Sequence, residues 1–200
     1  REYLDALISR NPGNMGAKKL LASIYVDTKD YGRAQTLLES IQRVLPEDPQ
    51  VMYLLGSVNL AQKRYAQATS LLEKAATRTG ANEMNRSLAF SQLGSGLTEK
   101  GLGNLEKAMA ANPGDVQAGV ALAVLYSRIG KMEKALKVAE AMIKHDSSNL
   151  VALNLLGSLK ISAGDKEGAR AAYGQVLAKN AAFIPAILNL ARLEASEQRF

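Results

Sequence analysis

The sequence predicts an all-α solenoid, a stack of about twelve helices that pair as helical hairpins. A Leu followed by Gly or Ala recurs at intervals of 34, 33, 34, 34 and 34 residues. A second series of small residues follows with the same period, and a helix-ending corner separates successive units. The composition agrees, because alanine and leucine dominate a chain that is 47% hydrophobic and only 5% aromatic, which suits a helical repeat array.

The two series and the corners have a simple packing logic. The small residue beside each Leu lets a second helix approach to roughly 8–10 Å, and proline cannot continue a helix. The first series is Leu21-Ala22, Leu55-Gly56, Leu88-Ala89, Leu122-Ala123, Leu156-Gly157 and Leu190-Ala191. The second is Ala34, Ala68, Gly101, Ala135 and Ala169, and the corners are Pro12, Pro46, Gly80, Pro113, Ser147 and Ala181.

The clearest hairpin lies at residues 150–173. Leu153, Leu156 and Leu159 recur at helical spacing and predict one apolar face. Gly164 then ends the first helix, and Asp165 is the expected N-cap of the second, because its carboxylate can accept from unpaired amides of the first turn. Neither helix can bury its apolar face alone, so the hairpin needs the neighbouring copies.

In chain order, the pattern predicts a lone helix at 2–10, five hairpins between 14 and 181, and a last helix at Ile184–Gln198. We expect one array over residues 1–200, as a fragment of a longer protein with half repeats at both ends. The full repeats are 15–48, 49–81, 82–115, 116–149 and 150–183. The interval from Leu55 to Leu88, which leads into the third repeat, is one residue short. The third repeat is also rich in glycine, which disfavours helix by about 1 kcal/mol per residue, so we expect it to be the least regular.

Composition argues against several functional classes. The chain has no Cys and a single histidine, His145, so no metal site, cofactor site or catalytic set is predicted. The net charge of +6 is spread along the chain without a basic stripe, which disfavours nucleic acid as a partner. No apolar run approaches the ~20 residues that span a membrane.

The sequence resembles the tetratricopeptide repeat (TPR) family along its length. The residues that carry the resemblance in the best copy are Leu21, Ala22, Tyr25, Ala34, Leu38 and Pro46. The early Trp of the family is absent, since the chain has no Trp. The resemblance implies a right-handed superhelix whose function is protein–protein interaction, with no catalytic activity and with a protein or peptide as the partner.

A looser resemblance concerns residues 164–200, which look like the TPR lipoproteins of bacterial exopolysaccharide and PEP-CTERM sorting systems. It implies a role in the cell envelope or periplasm, with a lipid anchor in the full-length protein. A cytoplasmic location stays open as the alternative.

In the family, the first helix of each repeat lines a concave groove. That projection makes the candidate partner-binding residues Lys19, Ser23, Tyr53, Ser57, Arg86, Phe90, Val120, Val124, Asn154, Ser158, Asn189 and Arg192. Asn154 and Asn189 could bond a peptide backbone, or they could be ordinary solvated residues. Two other functions also stay open: a regulatory or recognition module of a larger enzyme, and a structural module that forms a homodimer through its exposed ends.

Overall fold

The structure, a computed structural model, describes residues 2–79 and 84–197. Those residues form twelve α-helices and no strand, which confirms the predicted all-α fold. They are α1 (Glu2–Arg10), α2 (Met15–Asp27), α3 (Tyr31–Gln42), α4 (Pro49–Ala61), α5 (Tyr65–Thr79), α6 (Asn85–Gly94), α7 (Thr98–Ala111), α8 (Val116–Arg128), α9 (Met132–His145), α10 (Leu150–Ser162), α11 (Lys166–Lys179) and α12 (Ile184–Ser196).

The chain divides into two compact units, Arg1–Asn104 and Leu105–Phe200. Each is a set of helices packed as antiparallel pairs, α2 with α3 and α4 with α5 in the first unit, α8 with α9 and α10 with α11 in the second. The single array over residues 1–200 and its repeat boundaries remain predictions. The corner at Gly80, the boundary between the second and third repeats at 81–82 and the predicted helix end at Gln198 lie outside the described residues.

The start of most first helices is set by an Asn or Asp N-cap. Asn14 accepts from the amide of Ala17, 2.9 Å away, and such a bond satisfies one of the amides that the first turn leaves unpaired. Asp48, Asp115 and Asn149 do the same for α4, α8 and α10. The predicted N-cap of α11 is also present, since Asp165 accepts from the amide of Gly168 at 2.8 Å.

Except for Ala191, the small residues of both series are buried, and the glycines among them lie where two helices touch. A Cβ added at Gly56 would lie 2.7 Å from Cγ of Leu72, and one added at Gly101 would lie 2.6 Å from Cγ of Leu93. Side chains at these points would therefore force the helices apart. The predicted role of these glycines in close helix packing follows directly from those distances.

Three residues of the leucine series depart from the predicted core. Leu156 and Leu190 are only half-buried, and Ala191 is exposed. In α10 the core positions are instead filled by Leu153, Leu155 and Leu159. α12 is the last of the described helices, so no later helix in the described residues covers Ala191.

The third predicted repeat differs in its packing chemistry. Its first helix, α6, has 10 residues, whereas α4 has 13. The hydroxyl of Thr69 donates to Oγ of Ser91 at 3.0 Å in a buried bond, and Gln92 bonds to Asn104 at 2.8 Å. Polar pairs thus replace part of the apolar contact made by other helices.

Candidate functional site

The predicted partner-binding residues lie on the first helices of the hairpins, and those helices contact one another. In the first unit α2 packs against α4 and α4 against α6; in the second, α8 packs against α10 and α10 against α12. We call the surface that the first helices of a unit form together the first-helix face of that unit. The predicted residues divide between them, with six in each unit.

In the first unit, Lys19 is committed to an ion pair. Its ammonium lies 2.9 Å from Oδ2 of Asp48, which caps α4. Burial of the Asp48 carboxyl opposes its ionisation, but the hydrogen bonds from Lys19 and from the amides of Val51 and Gln50 prevail and lower its pKa. Lys19 therefore joins two successive first helices, and its charge is already neutralised.

The other predicted residues of the first unit are half-buried. Tyr53 packs against three separate hydrophobic clusters, so its ring contributes to the fold. The Ser57 hydroxyl donates to the Tyr53 carbonyl at 2.9 Å, a bond within α4. Ser23, Arg86 and Phe90 complete this face.

In the second unit two predicted residues meet directly. Nδ2 of Asn189 on α12 donates to Oδ1 of Asn154 on α10 at 3.2 Å. Ser158, one turn after Asn154, lies 3.2 Å from the hydroxyl of the buried Tyr173. The two amides hold each other in place, and the carbonyl oxygen of Asn189 and the second amide hydrogens still have bonding capacity.

Beside this pair lies a depression of about 320 Å³. Three of its lining residues, Ser158, Asn189 and Arg192, are predicted partner-binding residues. The rest are Ile161, Lys166, Tyr173, Leu193 and Ser196. Val120 and Val124 are not part of it; Val120 is half-buried and Val124 is 40% exposed. The depression combines an apolar floor, hydroxyls, an amide and two cationic side chains.

The charge of this depression is positive on one side. The exposed Arg192 forms no ion pair within residues 2–79 and 84–197. The neighbouring carboxylates of Glu194 and Glu197 are held at 2.7 and 2.6 Å by Arg170. Arg170 also pairs with Glu167, and Lys166 lies 3.3 Å from Glu197 as a second cation of this network. Arg192 stands outside the network, so its guanidinium is available to an anionic group.

Sequence reasoning missed Ile161, Lys166, Leu193 and Ser196. Ile161 follows Ser158 by three residues and so shares its helix face, a signal that was readable. Lys166 could not be found in this way, because it belongs to the second helix of the hairpin and reaches the depression only through the tight turn at Gly164, where φ is +83°.

Other kinds of site find no support in the described part of the chain. It contains no group of three residues that could hold a metal ion. His145 is exposed at the end of α9. No helix among these residues has the length and apolar character needed to cross a membrane.

Comparison with known proteins agrees with the repeat pattern. The tetratricopeptide repeat family matches residues 19–83, which include α3, α4 and α5. TPR proteins generally mediate protein–protein or peptide interactions. No curated protein matches this chain in sequence.

Solved TPR structures share the fold over most of the chain. YrrB, described as a TPR protein with an unusual peptide-binding site, is 17% identical with a TM-score of 0.70, over 92% of this chain and 95% of its own. PilW, a type IV pilus biogenesis factor, is 15% identical with a TM-score of 0.78, over 92% and 86%. A TPR protein from Parabacteroides merdae is 15% identical with a TM-score of 0.76, over 100% and 75%. The fold is therefore that of the TPR helical solenoids.

Proposed function

We propose that this chain is a non-catalytic interaction module that binds an extended peptide on the first-helix face of its second unit. The observation that carries the proposal is the depression beside the Asn154–Asn189 pair. It gathers Ser158, Asn189 and Arg192, which come from two helices and were selected by sequence reasoning, around an accessible apolar floor.

The chemistry of the depression suits a peptide. An extended chain presents amide donors and acceptors that the free bonding positions of the asparagine pair can satisfy. Ile161 and Leu193 provide apolar contact for one side chain of the peptide. Arg192 supplies a bidentate donor that matches a carboxylate, which favours a peptide with an acidic side chain or a free carboxyl terminus.

A peptide selection tests this function. A random peptide library displayed on phage is selected on the immobilised chain, and the enriched peptides are titrated against variants by fluorescence anisotropy. We expect Asn154→Ala with Asn189→Ala, and separately Arg192→Glu, each to weaken binding by about tenfold or more, as for the loss of about 1.4 kcal/mol of binding free energy.

Matched changes on the second helices serve as controls. Gln175→Ala on α11 and Lys144→Glu on α9 alter an exposed amide and an exposed charge that line none of the depressions described, and they should leave affinity within about twofold. Equal binding by all four proteins would show that the peptide does not use this face.

The cellular context is a separate proposal. The likeness of residues 164–200 to envelope TPR lipoproteins supports a role of the full-length protein in exopolysaccharide export or protein sorting at the bacterial envelope. Affinity purification of the full-length protein from native lysate, beside its Arg192→Glu variant, tests it. Loss of envelope proteins with the variant would support the role, and recovery of cytoplasmic proteins alone would refute it.

Self-association is the second candidate function, favoured by one surface. On α12, Ile184, Ile187 and Leu188 are 65%, 42% and 51% exposed, which is an apolar patch of the kind that marks interfaces. Sedimentation analysis of the chain and of its Leu188→Glu variant distinguishes the outcomes. A dimer that the variant abolishes would support a homodimer through α12, whereas a concentration-independent monomer would exclude one.

A further inference from the structure

The second unit has another depression, formed mainly by second helices. It measures about 370 Å³ and is lined by residues of α7, α8 and α9 and by Pro113. We call it the second-helix pocket. Its lining residues are Glu106, Met109, Ala110, Pro113, Leu122, Tyr126, Lys134, Lys137, Val138 and Ala141. The only helix it shares with the first-helix face is α8, and none of its residues is among the predicted partner-binding residues.

Most of the wall is apolar. Met109, Pro113 and Val138 surround a base formed by the buried side chains of Leu122 and Tyr126. Met109 and Val138 are half-buried, so their side chains are held in place while still facing the opening. A concave apolar wall of this size accommodates one large apolar side chain, whose transfer from water favours binding.

The second-helix pocket has more positive than negative side chains. Glu106 accepts a hydrogen bond from the Tyr126 hydroxyl. The Lys134 ammonium lies 5.4 Å from the centroid of the Tyr126 ring. Lys137 is exposed and has no ion pair within the described ranges. Two ammonium groups therefore stand at the opening, and the single carboxylate is engaged by tyrosine.

The same place two repeats earlier has a different chemistry. A depression in the first unit is lined by Glu39, Gln42, Asn59, Gln67, Ser70 and Leu71, among others. Each lies 67 residues, or two periods, before a residue of the second-helix pocket. The repeat geometry thus creates a depression at both places, but the polar Gln42, Asn59 and Gln67 correspond to Met109, Tyr126 and Lys134.

Fold maintenance does not account for this difference. Packing explains why there is a depression at both places and why both have a glutamate, Glu39 in the first copy and Glu106 in the second. It leaves Met109 and Lys137 unexplained, because Gln42 and Ser70 occupy the corresponding places in the first copy, where the lining cation Arg64 is bonded to Gln35 at 2.7 Å. An apolar wall beside two cations is complementary to an apolar side chain flanked by carboxylates.

We propose that the second-helix pocket binds an acidic–apolar segment of a partner protein, by inserting one large apolar side chain between Met109 and Val138 while Lys134 and Lys137 contact neighbouring carboxylates. The site is independent of the peptide site on the first-helix face. A chain with both could hold two partners at once, which is the property of an adaptor.

The test uses defined peptides. Fluorescein-labelled peptides of the frame Gly-Ser-Asp-Glu-X-Glu-Asp-Ser-Gly, in which X is Leu, Ile, Met, Phe or Ala, are titrated with the purified chain by fluorescence anisotropy. We expect saturable binding with a large apolar X, at least about fivefold weaker binding with Ala, and no saturation when lysines replace the four acidic residues.

Two variants locate the binding. Ala141→Leu fills the pocket from an exposed helix position, and Lys137→Glu reverses a charge at the opening. Each should weaken the best peptide by about five- to tenfold. Their controls, Ala171→Leu on α11 and Lys144→Glu on α9, are exposed residues outside the pocket and should bind like the parent, as should Arg192→Glu on the first-helix face.

Several results would overturn the proposal. They are an absence of saturable binding for every large apolar X at millimolar peptide, equal binding of the lysine peptides, or equal affinity of Ala141→Leu and Ala171→Leu when both retain the parent helical content. A dimer of the chain that Ala141→Leu converts to a monomer would also overturn it, since the occupant would then be a second copy. Peptide binding lost with Arg192→Glu alone would assign these peptides to the first-helix face.

Discussion

A single added methyl group tests the close helix packing on which the fold depends. In Gly157→Ala, the new Cβ would lie 2.5, 2.8 and 2.9 Å from Cε1, Cδ1 and Cζ of Tyr173. The Tyr173 ring is only 2% exposed, and its hydroxyl is 3.2 Å from Oγ of Ser158. The ring cannot move aside without disturbing the core, so the methyl group overpacks the contact between α10 and α11.

The expected loss of stability in Gly157→Ala is judged against the same substitution at a matched glycine. A Cβ at Gly174, inside α11 and next to Tyr173, meets no heavy atom within 4 Å among the described residues apart from its own helix neighbours. Both alanine variants gain about 1 kcal/mol of helix propensity, but only Gly157→Ala incurs an overpacking cost of about 1–3 kcal/mol. The two variants should therefore differ in free energy of unfolding by about 1–3 kcal/mol, with Gly174→Ala more stable than the parent.

Urea unfolding followed by far-ultraviolet circular dichroism measures this difference, with all three proteins at the same concentration. Equal stability of Gly157→Ala and Gly174→Ala would refute the reasoning, because it would mean that α10 and α11 do not approach closely at Gly157.

Three further predictions concern polar groups. The pKa of Asp48 is lowered in the fold. The ionised carboxylate therefore stabilises the fold above the unfolded pKa of 3.8, and this stabilisation is lost as the pH falls through the lower pKa of the folded state. Asp48→Asn should reduce the free energy of unfolding in urea by about 1 kcal/mol near pH 7 and by markedly less near pH 3. Burial and the Glu106 carboxylate raise the pKa of Tyr126 to about 12 from 10.0, so the parent should lose more stability between those values than Tyr126→Phe does, and parallel curves would contradict this. Thr69→Val leaves the buried Ser91 without its donor and should cost about 1 kcal/mol in the same assay; no loss would show that the bond is not formed.

The fold could be predicted from residues that recur at each helical turn or at each repeat period. Gly157 and Ala135 could be assigned to helix contacts because the series demanded a small residue there, and the structure buries both. Leu156 was misplaced, because its register in the series says nothing about which leucine of α10 fills the core. Which of several leucines on one helix enters the core depends on where the neighbouring helices lie.

The candidate site was only partly predictable for a related reason. Projection onto first helices found Asn154 and Asn189, but their mutual hydrogen bond joins residues 35 apart and depends on how α10 and α12 lie together. The second-helix pocket lies outside that projection, because its residues come mainly from second helices. Comparing Asn59 with Tyr126, two periods apart, would have indicated it from the sequence alone.

Chemical-shift mapping tests the central claim most directly. A peptide selected on the chain is added to the isotopically labelled protein, and the backbone amide resonances are followed. Peptide binding on the first-helix face of the second unit predicts that the largest shifts occur at Ser158, Asn189 and Arg192, with small changes along α9. Largest shifts elsewhere, with α10 and α12 unchanged, would contradict the account.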